Sequence, residues 1–145
     1  MTRCRAHNCL EELMQDHQKI LAKVNELEKE NNVKEFLEFT ESFAEPHYQK
    51  EEKILFPALE KKGIPRDGGP IGVMLGEHEA KRRLIKELRK VVKEEKKAEI
   101  KENTLAIIPL LRDHIFKEDN ILYPCAKDVL SQEELAELGH RCAQI

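Results

Sequence analysis

The sequence predicts an all-α fold: an antiparallel up-down-up-down four-helix bundle with a short fifth helix at its C-terminus. Three observations lead there. The chain is 37% charged, 40% hydrophobic and only 5% aromatic, with six Gly and no Trp, which suits long amphipathic helices rather than a sheet. Apolar residues recur at alternating steps of three and four along four long stretches, the period of a buried helix face. One strong loop, KKGIPRDGGPIG, divides the chain into halves. At 145 residues the chain reads as one domain, 1–145, with the bundle over about 8–127 and the short helix over about 131–143.

The first helix is expected from about Asn8 to about Glu30, where Leu10, Leu13, His17, Ile20, Val24 and Leu27 form a seam. Asn31 and Asn32 break it, and Asn32 with Glu35 reads as the cap that opens the second helix. The second stripe is Phe36, Thr40, Phe43, His47, Glu51, Ile54 and Ala58, interrupted by Pro46 and Pro57. Each proline removes an N–H and bends the rod. A third helix from about Ile71 turns Ile71, Met74, His78, Ile85, Leu88 and Val92 inward. The next junction falls within Glu94–Ala98, and the fourth stripe is Ile100, Thr104, Ile107, Leu111, His114, Glu118, Ile121 and Cys125. Ser131 with Glu134 forms a capping box for the last helix.

Composition excludes several function classes. A net charge of -3 gives no electrostatic reason to expect nucleic acid, and the runs Lys81–Arg83 and Lys90–Lys101 read as solvated helix faces. The N-terminal stretch has no apolar signal region, and nothing approaches the roughly 18 apolar residues of a membrane helix. A cytoplasmic protein without membrane contact is expected. Cys4, Cys9, Cys125 and Cys142 do not indicate a secreted disulfide framework. The Glu- and Lys-rich composition also suits hyperthermophiles, where intracellular disulfides occur, so pairing stays open.

The chemistry is written in a repeat. PHYQKEEKILFPAL and DHIFKEDNILYPCA share His-x-x-x-Glu followed by Ile-Leu, an aromatic and Pro, with His47, Glu51, Phe56 and Pro57 each 67 positions before His114, Glu118, Tyr123 and Pro124. Residues four apart on a helix share one face, roughly 6 Å apart along the axis. Both pairs therefore point into seams otherwise made of Leu, Ile and Phe. The first helix adds only His17 to its seam and the third only His78. Carboxylates among aliphatics cost several kcal/mol per charge unless compensated. Metal cations compensate both, and imidazole with carboxylate suits iron, manganese or zinc. Each copy thus furnishes half of a dinuclear centre. A single seam histidine is more often a hydrogen-bonded core residue, and a lone His-x-x-x-Glu means little; the registered pair changes that balance.

Other candidates are weaker. Ferritin-like bundles use Glu-x-x-His, and the one instance here, Glu137–His140, contains Gly139 and reads as surface. His7 lies ten residues before His17, too far for the same centre, and Cys4, His7 and Cys9 read as a frayed terminus in preference to a metal or redox tail. Cys125 falls on the seam as a small buried residue.

His17, His47 with Glu51, His78 in GEHE, and His114 with Glu118 resemble the hemerythrin-like family, the HHE cation-binding domain, over nearly the whole chain. The resemblance implies two iron ions joined by an oxo or hydroxo bridge. His17 and His47 would bind one, His78 and His114 the other, and Glu51 and Glu118 would bridge them. Oxygen-carrying members have a fifth histidine one turn before the position of His78, where this chain has Met74. A thioether is a poor ligand in such a site. The match is then closer to members that handle nitric oxide or peroxide or repair iron clusters, although Glu77 or Glu79 could add an oxygen ligand. The expected function is binding or reduction of oxygen, nitric oxide or peroxide, with an electron-donor protein as partner. The alternatives are reversible oxygen carriage or sensing, and iron holding without turnover.

Overall fold

The computed structural model describes residues 8–145, and all regular structure among them is helical. Five helices account for it. Helix α1 spans Cys9–Glu30; the Asn8 side chain accepts from the N–H groups of Leu10 and Glu11, and Asn31 ends the helix in the left-handed region at φ 54. Helix α2 is a continuous rod over residues 33–61. Asn32 stands at its cap position, but its amide donates to Glu26 and Glu35 instead of accepting from the backbone, which corrects the expected cap. After a loop, α3 spans Pro70–Lys93 without interruption at Gly76. A Cβ on Gly72 would lie 2.9 Å from the Arg66 carbonyl, so the loop folds tightly back on the first turn of α3. Helix α4 runs over residues 97–129, and α5 over Gln132–Cys142, with the Ser131–Glu134 capping box formed.

Helices α2 and α4 contain π-turns at Thr40–Ala44, Glu51–Leu55 and Glu118–Leu122. In each case the next residue donates its N–H five positions back: Glu45 to Thr40, Phe56 to Glu51, and Tyr123 to Glu118. A proline follows at once, Pro46, Pro57 and Pro124. Proline has no N–H and its ring crowds the carbonyl four residues earlier, and a widened turn relieves both problems without ending the helix. The prolines therefore mark an inserted residue rather than a simple bend.

That insertion corrects the expected stripes. Past Glu118 the inward residues are Leu122, Tyr123 and Ala126, while Ile121 is 56% exposed and Cys125 is half-buried. Ala44, four residues after Thr40, is buried in place of Phe43, and Leu59 is buried in place of Ala58 beyond the second π-turn. At the helix ends, Val92 and Ile100 are only partly buried, and Val91 takes the inward position.

The core has two apolar clusters. One gathers Cys9, Leu10 and Leu13 of α1 with Ile54–Leu59, Ile71, Met74, Leu122, Tyr123 and the buried face of α5. The other gathers Ile20–Leu27 with Phe36, Tyr48, Ile85–Val91 and Ile107–Ile115. Along their helices His17, Glu51, His78 and Glu118 fall between the two, and His47 and His114 lie at the edge of the second. A polar layer is thus enclosed between two dry ones. No helix among the described residues is long and apolar enough to cross a membrane.

Candidate metal centre

His17 lies in the middle of α1 and His78 in the first half of α3. His47 and His114 sit on the α-helical turns that lead into π-turns, and Glu51 and Glu118 are the first residues of those turns. All six side chains are buried, none more than 3% exposed. They converge in two groups, His17, His47, Glu51 and Glu118 on one side and Glu51, His78, His114 and Glu118 on the other. Within each group one donor atom per residue lies within 4.8 Å of the others. The glutamates belong to both.

Contact distances show how tightly the layer closes. Nε2 of His17 is 2.9 Å from a Glu118 oxygen and Nε2 of His114 is 3.3 Å from the other. Nε2 of His78 is 3.2 Å and Nε2 of His47 is 3.7 Å from Oε1 of Glu51. Yet Nε2 of His47, His78 and His114, Oε1 of Glu51 and Oε2 of Glu118 are buried with no hydrogen-bond partner. Five such atoms in one layer are foreign to an ordinary core. They are what a bound cation satisfies.

The outward ring nitrogens explain the aim of the inward ones. Nδ1 of His47 meets Asp16 at 3.0 Å, Nδ1 of His78 meets Glu52 at 2.7 Å, Nδ1 of His114 meets Glu77 at 2.8 Å, and Nδ1 of His17 meets Asp119 at 2.8 Å. With Nδ1–H donating to a carboxylate, each Nε2 faces inward and offers a lone pair once its proton is displaced, the arrangement that orients imidazole for a metal. The partners run in a closed ring, α1 to α2, α2 to α3, α3 to α4, and α4 back to α1. Each carboxylate directly adjoins one of the six converging residues in sequence, yet serves a histidine on a neighbouring helix. This ring does not follow from residue spacing alone, although an acid beside each of His17, Glu51, His78 and Glu118 is its signal in the sequence.

Electrostatics favour cation uptake. Burial alone would lower the pKa of His17, but the hydrogen bonds it donates to Asp119 and Glu118 outweigh it and hold the imidazole at about 9. Burial opposes His114 too, and Glu118 with Glu77 raise it to about 10. Burial wins at His47, which is pushed down. Glu118 stays ionised despite burial because His114 and His17 surround it. In the metal-free layer protons on His17 and His114 offset the charge of Glu118, and a metal ion would displace them.

The two halves differ in their aromatic neighbours. The Tyr123 hydroxyl donates to Oε2 of Glu51 at 2.6 Å, and its ring stacks on His17. Phe56, its counterpart in the repeat, stacks on His78. Tyr48 lies 4.4 Å from the His78 ring, and Lys81 sits 3.9 Å above the Tyr48 ring with only 3% of its surface exposed. Lys81 is therefore no solvated face, contrary to expectation; Glu45 and the aromatic ring make its burial tolerable. Arg82 beside it bridges Glu45 and Glu52 and so braces the acceptor of His78.

Other expected positions resolve simply. Met74 is buried one turn before His78 on unbroken helix. Glu77 is committed to His114 and Lys117, and Glu79 is exposed, so neither is an added ligand to the layer. Glu137 and His140 are exposed, as expected of a surface pair. Cys4 and His7 lie outside the described residues.

Comparison with curated proteins gives no match. A family model described as the hemerythrin HHE cation binding domain matches residues 8–126, the span from the cap of α1 to the turn after Pro124. With the buried histidine and glutamate layer lying wholly inside that span, the chain belongs to the hemerythrin HHE cation-binding domain family.

Proposed function

We propose that the chain is a dinuclear non-haem iron protein that binds or reduces oxygen, nitric oxide or peroxide in the cytoplasm, drawing electrons from a donor protein. In this reading the four long helices run up-down-up-down as one domain. His17 and His47 would hold one iron and His78 and His114 the other, with Glu51 and Glu118 available to both. The observation that carries it is the sharing of those two glutamates, and no other residue, between the two donor groups. Imidazole with carboxylate suits iron, and manganese or zinc as substitutes.

Iron, when bound, supplies open positions for a small molecule and the electrons to reduce it. The chain's own residues do the rest. The ring of Asp16, Glu52, Glu77 and Asp119 fixes the four imidazoles. The Tyr123 hydroxyl gives its one hydrogen to Glu51 and lies 3.4 Å from Nε2 of His17, so it orients that carboxylate from the His17 side. A recess of about 310 Å³ lined by Pro70, Val73, Met74, Lys117, Ile121 and Leu122 reaches Met74 from outside and gives apolar small molecules an approach. Met74, where the oxygen carriers resembled have histidine, favours reaction over carriage. A second reading, reversible oxygen binding, is favoured by the near-complete burial of the layer, which shelters a bound molecule from water.

The test is metal analysis and anaerobic spectroscopy of iron-loaded protein mixed with oxygen, nitric oxide and peroxide. Two irons per chain, both lost in Glu51→Ala or Glu118→Ala, support the bridged centre; one iron or fewer overturns it. Turnover with a reductant supports reaction, and a stable, reversible oxygen spectrum supports carriage.

A further inference from the structure

Cys9 opens α1 and Cys142 closes α5, yet their sulfurs lie 3.7 Å apart, both side chains fully buried and both thiols free. We propose that Cys9 and Cys142 are a redox-active dithiol, which a small-molecule disulfide converts into an intramolecular disulfide fastening α5 to α1. A disulfide needs sulfurs about 2.05 Å apart, so the pair is one modest side-chain and backbone adjustment from bonding. Both cysteines stand in terminal turns, where backbone yields most easily. The remaining described cysteine, Cys125, is half-buried in α4 and is not the partner of either.

The surroundings assign the order of attack. Cys142 is the nucleophile because it is the sulfur that can be reached: it closes α5 between the exposed Arg141 and Ala143, whereas Cys9 is followed by the buried Leu10 in the body of α1. Cys9 therefore reacts second, from across the 3.7 Å contact. Access comes from unwinding the last turn of α5, whose His140 and Arg141 and the following Ala143–Ile145 are exposed. The Cys142 thiolate attacks one sulfur of the small disulfide, whose S–S bond breaks and releases one small thiol. Cys9 then loses its proton and attacks the Cys142 sulfur, expelling the second small thiol. Two electrons and two protons pass from the pair to the small disulfide.

The location gives the bond a consequence. Helix α5 packs on α1, which carries His17, and on the π-turn that begins with Glu51. It lies beyond the span matched by the family model, so the dithiol joins the matched region to an added helix. Oxidation clamps that helix over one end of the core, and reduction frees it. The proposal does not depend on which metal the polar layer holds.

The experiment uses the full chain carrying Cys4→Ser and Cys125→Ser, equilibrated anaerobically in mixtures of reduced and oxidised glutathione, then acid-quenched, alkylated and mapped by mass spectrometry. The expected result is a species lighter by two hydrogens with the Cys9 and Cys142 peptides linked. Its unfolding midpoint should stand roughly 10 °C above the reduced form, given the length of chain closed. Cys9→Ser and Cys142→Ser should each abolish the link and the rise. Two alkylated thiols in the most oxidising mixture would overturn the proposal. So would a glutathione adduct on Cys142 that never resolves, or a midpoint rise that persists in either serine variant.

Discussion

Tyr123 donates its hydroxyl hydrogen to Glu51 across 2.6 Å, while Phe56, the matching residue of the repeat, has nothing to donate. The two halves of the polar layer are alike in their histidines and unlike in this one group. Tyr123→Phe removes the donor and leaves all six candidate ligands in place. Metal content should therefore stay at the wild-type value. The metal-free protein should lose about 1–2 kcal/mol, the usual cost of stranding a buried acceptor. Metal analysis with calorimetry checks this; loss of a metal ion would make the phenol a ligand rather than a hydrogen-bond donor.

The carboxylate ring makes a site-selective prediction. Glu77 accepts from Nδ1 of His114 and is held well below the usual carboxylate range, at about 2, by that hydrogen bond and by Lys117. Glu77→Gln keeps the size and weakens the acceptor. The metal on the His78 and His114 side should bind about tenfold more weakly, with the other side little changed. Glu79→Gln, on the exposed face, is the control. An isotherm in which both metals weaken alike would show that Glu77 acts on the whole bundle, not through His114.

Lys81 should cost stability where it stands. Burial depresses its ammonium from 10.5 to about 8, with Glu45 and Glu52 opposing and Arg82 assisting the shift. Between those values the unfolded chain holds the proton and the folded chain has released it, so stability rises with pH across that window. Lys81→Met removes the buried charge and leaves Glu45 paired with Arg82. At pH 7 the variant should be more stable by about 1–3 kcal/mol, the cation–aromatic contact returning part of the penalty. Near pH 10 that advantage should vanish. Thermal melts at both pH values test it, and a variant less stable at pH 7 would mean the ammonium stabilises the fold.

Much of this was legible from residue spacing alone. The convergence of six side chains follows from His-x-x-x-Glu written twice in register, because four residues return a helix to the same face. Helix ends were legible at Asn31 and Ser131, where the end signal is local, and near Asn8 from the apolar period. Inward positions after Glu118 were not, since a π-turn adds a residue and a 3.6-residue period then turns Ile121 outward and Leu122 inward. Pro124, shared with Pro57 in the repeat, was the clue. The acid ring was hidden for another reason. Asp16 lies about 100° around the helix from His17, so its partner His47 is evident only once the neighbouring helix is known. Lys81 was hidden similarly, its burial resting on Tyr48 and Glu45 of another helix.

Met74 offers the sharpest test of function. Helix α3 is regular from Pro70 to Lys93, so Met74 sits on the face of His78, one turn earlier, and is buried. Met74→His would bring an imidazole toward the His78 and His114 side, at the inner end of the apolar recess. Burying a polar ring among Ile71, Leu122 and Tyr123 should cost the metal-free protein about 1–3 kcal/mol. Metal loading should recover that loss, because the new nitrogen gains a partner only when metal is present. With one more nitrogen on that side, small molecules should be confined to the His17 and His47 side. The oxygen-mixed spectrum should then live longer, and any peroxide or nitric oxide turnover should fall. Stopped-flow spectra of both reduced proteins, beside their melts with and without metal, decide the matter. If loading recovers no stability and the decay rates coincide, residue 74 does not reach the metal, and the case for reaction over carriage loses its footing.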